Sequence, residues 1–222
     1  MTKCIAIDTS TDRFTLAAMN GRELFEFNQD NCINHAQDIY RNINNILTNS
    51  RLNLKDLDFI AFGCGPGRFT GLRIAASATQ AISYPNQIPV CSISSLSIIA
   101  QLASEKYSKD KIAVAMDAGR KQIYFGCYRR SKDGLMQPTS PDNLIDVDSF
   151  HFTELNFFGV GMGWKKYKNL EKQTSVKLIK DSEEILPDAK TMIKLATRDF
   201  KSGKGLEPFE ALPNYLRDQV AN

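Results

Sequence analysis

Ile5-Ala6-Ile7-Asp8-Thr9-Ser10, near the start of the 222-residue chain, and Val114-Ala115-Met116-Asp117, in its second half, are two short apolar runs that each end in an aspartate. Runs this apolar, with little alternation, fit central strands covered on both faces. The first leads through the polar turn Thr9-Ser10-Thr11-Asp12 into strands over 14–19 and 23–27. These flank Asn20-Gly21, a dipeptide suited to a tight hairpin because both positions tolerate φ > 0. The second leads through a turn at Gly119 into a strand over 123–128, with Asp133-Gly134 as the next turn. The chain thus presents the same strand-turn-strand plan twice.

Between the two runs, Ile39, Ile43, Ile46 and Leu47 recur at spacings of three and four and predict a helix over 36–50. A strand over 58–63, a helix over 70–84, a strand over 90–93 and a helix over 95–107 follow. After 112–116 and 123–128 come strands over 156–161 and 176–179, and helices over 164–171 and 188–200. Two lobes explain this order economically, 1–108 and 109–222, each a mixed sheet backed by helices, with the last residues packing back on the first lobe.

Composition narrows the function. A hydrophobic share of 42% with 24% charged residues is that of a folded globular chain. The run 4–7 is too short for a signal-peptide core and no stretch approaches a membrane span, so a cytoplasmic protein is expected. Five cysteines stand singly, without the C-x-x-C spacing of a zinc site, and four lie in apolar surroundings where a thiol behaves as a small hydrophobe. With 28 basic and 25 acidic residues the net charge of +3 does not mark a nucleic-acid binder. Local clusters at Arg129-Arg130, at Lys165-Lys166-Lys168 and around Lys201 and Lys204 are read as solvated surface in preference to an RNA contact.

The segment Gly63-Cys64-Gly65-Pro66-Gly67-Arg68-Phe69-Thr70-Gly71 invites a phosphate-loop reading, since a glycine-rich strand-to-helix turn can aim N–H groups at an anion. It fails the templates. Arg68 stands where a Walker loop needs the glycine before lysine, and Thr70 where a dinucleotide fingerprint needs its third glycine. A conformational role for the glycines is preferred, and Gly159, Gly161 and Gly163 are read in the same way. Asp8 and Asp117, at the ends of facing strands, are weak candidates to hold a hydrated Mg²⁺ in a cleft between lobes; each equally suits a turn cap. His35 and His151 share no H-x-x-x-H pair, so no metal site is expected, and no G-x-S-x-G elbow marks a nucleophile.

Taken together, Ile5 to Ser10, His35-Ala36-Gln37, Gly65-Pro66-Gly67-Arg68-Phe69-Thr70-Gly71-Leu72-Arg73-Ile74, Asp117-Ala118 and Pro213-Asn214-Tyr215-Leu216-Arg217 resemble the TsaB (YeaZ) family across essentially the whole chain. The resemblance implies an α/β fold of the actin/Hsp70-like (ASKHA) type, two ribonuclease-H-like lobes with mixed sheets flanked by helices. It implies a non-catalytic subunit of the bacterial complex that attaches threonylcarbamoyl to N6 of adenosine 37 in tRNA, binding and stabilising the catalytic subunit TsaD together with the ATPase TsaE. No catalytic residue and no cofactor are then required of this chain, ATP or ADP with Mg belonging to the assembled complex, and tRNA contact is indirect or weak. Arg68 replaces a usual Ser, Ala75 a common Gly, and Asp117-Ala118-Gly119-Arg120-Lys121-Gln122 departs from the usual Asp-Ala-Arg-x-Gly-Glu.

The resemblance also implies that the first two helices bundle with those of TsaD, or with a second copy of the chain when it is alone. The partner-facing set is then His35, Ile39, Phe69, Thr70, Leu72, Arg73, Ala75, Ala76, Ala78 and Ile82. Small residues at 75–78 let a second helix approach closely, unless they face their own sheet. The alternative is an independent small Mg-dependent ATPase or kinase of the same fold, using Asp8 and Asp117.

Overall fold

The computed structural model describes residues 1–31, 35–172 and 174–217, with the side chains of His35 and Ala36 outside that description. It divides into two compact units, Met1–Ser95 with Pro187–Asn214, and Leu96–Leu186 with the residues from Tyr215.

The first unit is built on a five-stranded sheet of β1 (Lys3–Asp8), β2 (Phe14–Asn20), β3 (Glu23–Gln29), β4 (Phe59–Gly65) and β5 (Val90–Ser94), in the order β3-β2-β1-β4-β5. β1, β2 and β3 are antiparallel neighbours, while β4 and β5 continue from β1 in parallel. Every residue of β4 is buried, as its unbroken apolar sequence requires of a central strand. One reason lies on each face. Helices α1 (His35–Ser50) and α2 (Phe69–Asn86) enclose a core containing Ile5, Ile7, Leu16, Ile39, Ile43, Ile46 and Ile60. The other face is covered by α6 (Ala189–Lys201), which lies on β1, β2, β4 and β5 and sets Phe200 against Phe59 at 4.8 Å between ring centroids. Each such buried side chain contributes about 1.5–3 kcal/mol.

The second unit repeats the plan. β6 (Lys111–Gly119) is central, β7 (Gln122–Arg130) pairs antiparallel with it, and β8 (Met136–Pro138) and β9 (Asn143–Asp146) pair with β7. On the other side β10 (Phe158–Val160) and β11 (Lys177–Leu178) run parallel to β6. Helix α3 (Ser95–Tyr107) packs Leu96, Ile99, Ala100 and Ala103 against Ile112, Val114 and Tyr128. Each unit therefore has the ribonuclease-H-like order implied by the resemblance, with Asp8 or Asp117 toward the end of its central strand.

Several sequence expectations shift. The division into 1–108 and 109–222 differs from the observed one because α3 buries its apolar face in the second unit, while 187–214 returns to the first. The hairpin turn sits one residue later than expected: Asn20 pairs with Glu23, and Gly21 alone takes positive φ, 65°. The helix expected over 164–171 is two short pieces, α4 (Met162–Lys166) and α5 (Asn169–Lys172), broken at Tyr167, whose φ of −114° and ψ of 80° leave the helical region. Cys4, Cys64, Cys91 and Cys127 are buried, and burial pushes the Cys4, Cys91 and Cys127 thiols up to about 12.

Candidate functional site

The glycine-rich turn between β4 and α2 is held by the turn after β1. The Arg68 N–H donates to the Ser10 carbonyl at 2.7 Å, and the Thr9 hydroxyl donates to the Gly71 carbonyl at 2.6 Å. These approaches leave no room for a Cβ: one at Gly63 would strike the Asp8 carboxylate, one at Gly67 the Ser10 carbonyl, and one at Gly71 the Thr9 carbonyl. Gly65, in a cis peptide bond to Pro66, has φ 109°, and the preceding Cys64 carbonyl accepts from the Asn214 N–H at 2.7 Å. The motif is accordingly a packing joint between two strand ends, which aims α2 rather than cradling an anion. Gly161 and Gly163 play the same part where α4 meets the Ala115 carbonyl.

The two strand-end aspartates differ chemically. Asp8 is fully buried; its Oδ1 accepts from the Ser10 N–H at 3.0 Å and the Ser10 hydroxyl at 2.8 Å, while Oδ2 has no hydrogen-bond partner. Burial pushes its carboxyl up to about 6 against the lowering effect of both Ser10 bonds, with Asp188 adding to the rise. Asp117 is engaged on both oxygens, by Lys166 Nζ at 2.6 Å, Tyr167 Oη at 2.9 Å and the Gly119 N–H at 3.0 Å. Partial burial raises its carboxyl, but these donors outweigh it and hold the group below the usual range. At Asp117 a divalent cation must displace an ammonium, and Asp8 Oδ2 is buried beside Gly63, where a Cβ would strike it. Among the described residues no group of three or more His, Cys, Asp or Glu side chains is disposed to hold a metal ion.

The expected partner-facing residues separate into two groups. Leu72, Ala75, Ala76 and Ile82 are buried within their own unit, which corrects their place in the partner-facing set, and Ala78 is buried at the floor of the groove between α1 and α2. Ala75, Ala78 and Ile82 belong to the core beneath α1 and α2, and Ala76 packs with Phe62, Cys64, Val90 and Ala211. The small side chains let α2 sit close to its own sheet, which is the alternative the sequence left open. Phe69, Thr70 and Arg73 do reach the surface, where they line a groove of about 330 Å³ between α1 and α2. Ile39 and Ala78, though nearly inaccessible, line the same groove. The side chain of His35 lies outside the described residues.

Sequence reasoning missed Tyr40 and Ile74 and named Ser77 only among the small residues at 75–78 that let a second helix approach; all three complete the groove. The helical period carries the signal for Ser77: Thr70, Arg73 and Ser77 stand at i, i+3 and i+7 on one face, and all three are exposed. Tyr40 is 55% exposed, and the Arg73 guanidinium stacks 3.8 Å from the Phe69 ring centroid. A concave apolar strip edged by a phenol, a hydroxyl and a guanidinium is suited to receive an amphipathic helix.

Comparisons with known proteins agree across the chain. A family model described as TsaD, tRNA N6-adenosine threonylcarbamoyltransferase, matches residues 31–222. The tRNA threonylcarbamoyladenosine biosynthesis protein TsaB of Buchnera aphidicola subsp. Schizaphis graminum is 36% identical over 85% of this chain and 90% of its own length. That of Escherichia coli (strain K12) is 30% identical over 99% of this chain and 96% of its own. Among solved structures, YeaZ from Pseudomonas aeruginosa has a TM-score of 0.86 at 31% identity, covering 97% of this chain and 100% of that one. A second structure, described as an uncharacterized protein with similarity to peptidase YEAZ from Pseudomonas aeruginosa, has a TM-score of 0.89 at 31% identity and covers 98% and 100%.

Proposed function

The chain belongs to the TsaB (YeaZ) family of tRNA threonylcarbamoyladenosine biosynthesis proteins, within the wider TsaD family, and from that premise we propose that it is a non-catalytic subunit of the complex that makes this modification at adenosine 37 of bacterial tRNA. The observation that carries the reading is the groove between α1 and α2, whose exposed rim includes Tyr40, Thr70, Arg73 and Ser77. The proposed occupant is a helix of the catalytic subunit TsaD, with TsaE completing the complex; a second copy of this chain takes the place when TsaD is absent.

Docking of a helix there would remove the Tyr40 ring and the groove's apolar floor from water, at about 25 cal/mol per Å² of apolar surface. The contribution to chemistry is then conformational: a subunit that binds one state of its partner more tightly populates that state, whereas equal binding to both shifts nothing. No cofactor is assigned to this chain, and ATP or ADP with Mg is assigned to the assembled complex. An independent Mg-dependent ATPase is the weaker reading, because Asp117 is occupied by Lys166 and Tyr167.

The test is depletion of the protein followed by measurement of threonylcarbamoyladenosine in bulk tRNA by mass spectrometry, with rescue by variants. The modification should fall on depletion, return with Asp8→Asn and fail to return with Ser77→Arg. Unchanged modification after depletion, or ATP turnover by the purified chain that Asp8→Asn abolishes, would overturn the proposal.

A further inference from the structure

Residues 162–180 carry six lysines, one glutamate and no arginine. Two of the lysines are neutralised within the second unit, Lys165 by Glu183 and Lys166 by Asp117. Among the described residues no carboxylate lies within ion-pair reach of Lys168, Lys172, Lys177 or Lys180, and all four are at least partly exposed. Positive charge therefore prevails within 162–180, although Asp181, Glu183 and Glu184 follow directly, in a chain whose net charge is only +3.

These lysines are not spread over a convex surface. Lys165, Lys168 and Lys172 stand with Glu171 around a groove of about 540 Å³ whose apolar lining is Trp164 and Leu178. Trp164 is held by its neighbours. The Trp164 N–H donates to the Ala113 carbonyl at 3.1 Å, and its ring packs edge-on against Phe150 and Phe125, with centroids 6.0 and 6.3 Å away. Lysine stems can lie along such a floor while the ammonium groups stay at the rim in water.

We infer that this groove, between α4, α5 and the edge strand β11, binds the phosphodiester backbone of RNA through Lys168 and Lys172, with Lys177 and Lys180 extending the positive field. Exposed ammonium groups act as point charges that meet phosphate oxygens from any direction, and the choice of a nucleic acid over an acidic polypeptide rests on the function proposed above. Such contacts carry no sequence information; they add affinity and orient the duplex or loop. The choice of tRNA as the RNA rests on the function proposed above, and it places a weak direct contact where the sequence alone suggested solvated surface.

The experiment is fluorescence anisotropy of the full-length chain with a labelled, unmodified tRNA transcript carrying A37, across 50 to 200 mM salt. Lys168→Gln/Lys172→Gln should weaken binding about tenfold and flatten the log–log salt dependence by about 1.4–1.8, the change expected when two phosphates are no longer neutralised. Lys201→Gln/Lys204→Gln, in the other basic cluster, should change affinity less than about twofold. Equal affinity of the Lys168/Lys172 variant and the parent overturns the inference, as does displacement by poly-glutamate as effective as by unlabelled RNA, which would mark an acidic polypeptide as the occupant. Co-purification of both lysine variants with TsaD separates this site from the α1–α2 groove. Loss of RNA binding with modification unaffected by depletion of the protein would uphold the groove and overturn only its assignment to tRNA modification.

Discussion

The Thr9 hydroxyl donates a 2.6 Å hydrogen bond to the carbonyl of Gly71, so that the turn leaving the first strand grips the first turn of α2 across 62 residues of sequence. The same approach brings the Thr9 carbonyl to where a Cβ of residue 71 would stand. The joint thus depends on one hydroxyl and on the missing side chain.

Removing the hydroxyl with Thr9→Val takes away this hydrogen bond and should cost about 0.5–1.5 kcal/mol. Gly71→Ala should cost more, about 3 kcal/mol, because the obstructing atom is backbone and cannot rotate away. Urea unfolding of both variants checks the order; a Gly71→Ala protein as stable as the parent would show that the joint is loose.

Ser77 and Ala78 are neighbours in sequence with opposite surroundings, one exposed on the groove and the other buried at 2% exposure. Ser77→Arg should leave the melting temperature of the isolated chain nearly unchanged and weaken association with TsaD at least about tenfold, roughly 1.4 kcal/mol. Ala78→Arg should destabilise the fold by more than about 3 kcal/mol by forcing a charge into a packed core. Thermal melts paired with affinity measurements separate the two effects.

Asp8 makes stability depend on pH with a definite sign. An unfolded aspartate titrates near ~3.9, and in the fold burial pushes this one up to about 6. The folded state therefore favours the neutral acid, and its stabilising effect is complete below about pH 4 and lost as pH rises through about 6. By pH 8 the loss amounts to roughly 3 kcal/mol. Asp8→Asn removes that dependence, so the stability of the variant relative to the parent should improve by about this amount between about pH 4 and pH 8. Denaturant curves at both pH values measure it, and a difference that does not change with pH would refute it.

The hairpin from β6 to β7 carries positive φ at three successive residues, Gly119 (72°), Arg120 (53°) and Lys121 (58°). Only glycine takes this conformation without cost, and the ion pair of Lys121 with Asp148 is exposed and long at 3.4 Å. Lys121→Gly should stabilise the protein by about 0.5–1 kcal/mol. Loss of stability in a thermal melt would mean that the side chain does more than the contact with Asp148 accounts for.

Local patterns were legible where local forces decide. Helix α3 spans the predicted 95–107, and the face of α1 that holds Ile39, Ile43, Ile46 and Leu47 is the buried one. The small residues of α2 were not legible in the same way, because a short side chain permits close packing without saying what packs. Asp117 takes its partners from Lys166 and Tyr167, 49 and 50 residues away, a pairing that no spacing rule reaches. The edge strands β8 and β9 were missed because three or four residues, half exposed, show too little alternation to read. The place of α6 was open for a related reason: its amphipathic face fits any apolar sheet, and nothing in it specifies the one at the other end of the chain.

The return of α6 to the first sheet has a consequence for biosynthesis. When the ribosome has completed β5, one side of that sheet still lacks the helix that will cover it, and the missing piece is encoded beyond residues 96–186 of the second unit. At ordinary translation rates of about 5–20 residues per second the nascent domain waits roughly 5–20 s with that side open. During this interval it is a natural client for chaperones, and a message truncated before residue 187 would yield a first domain that cannot close.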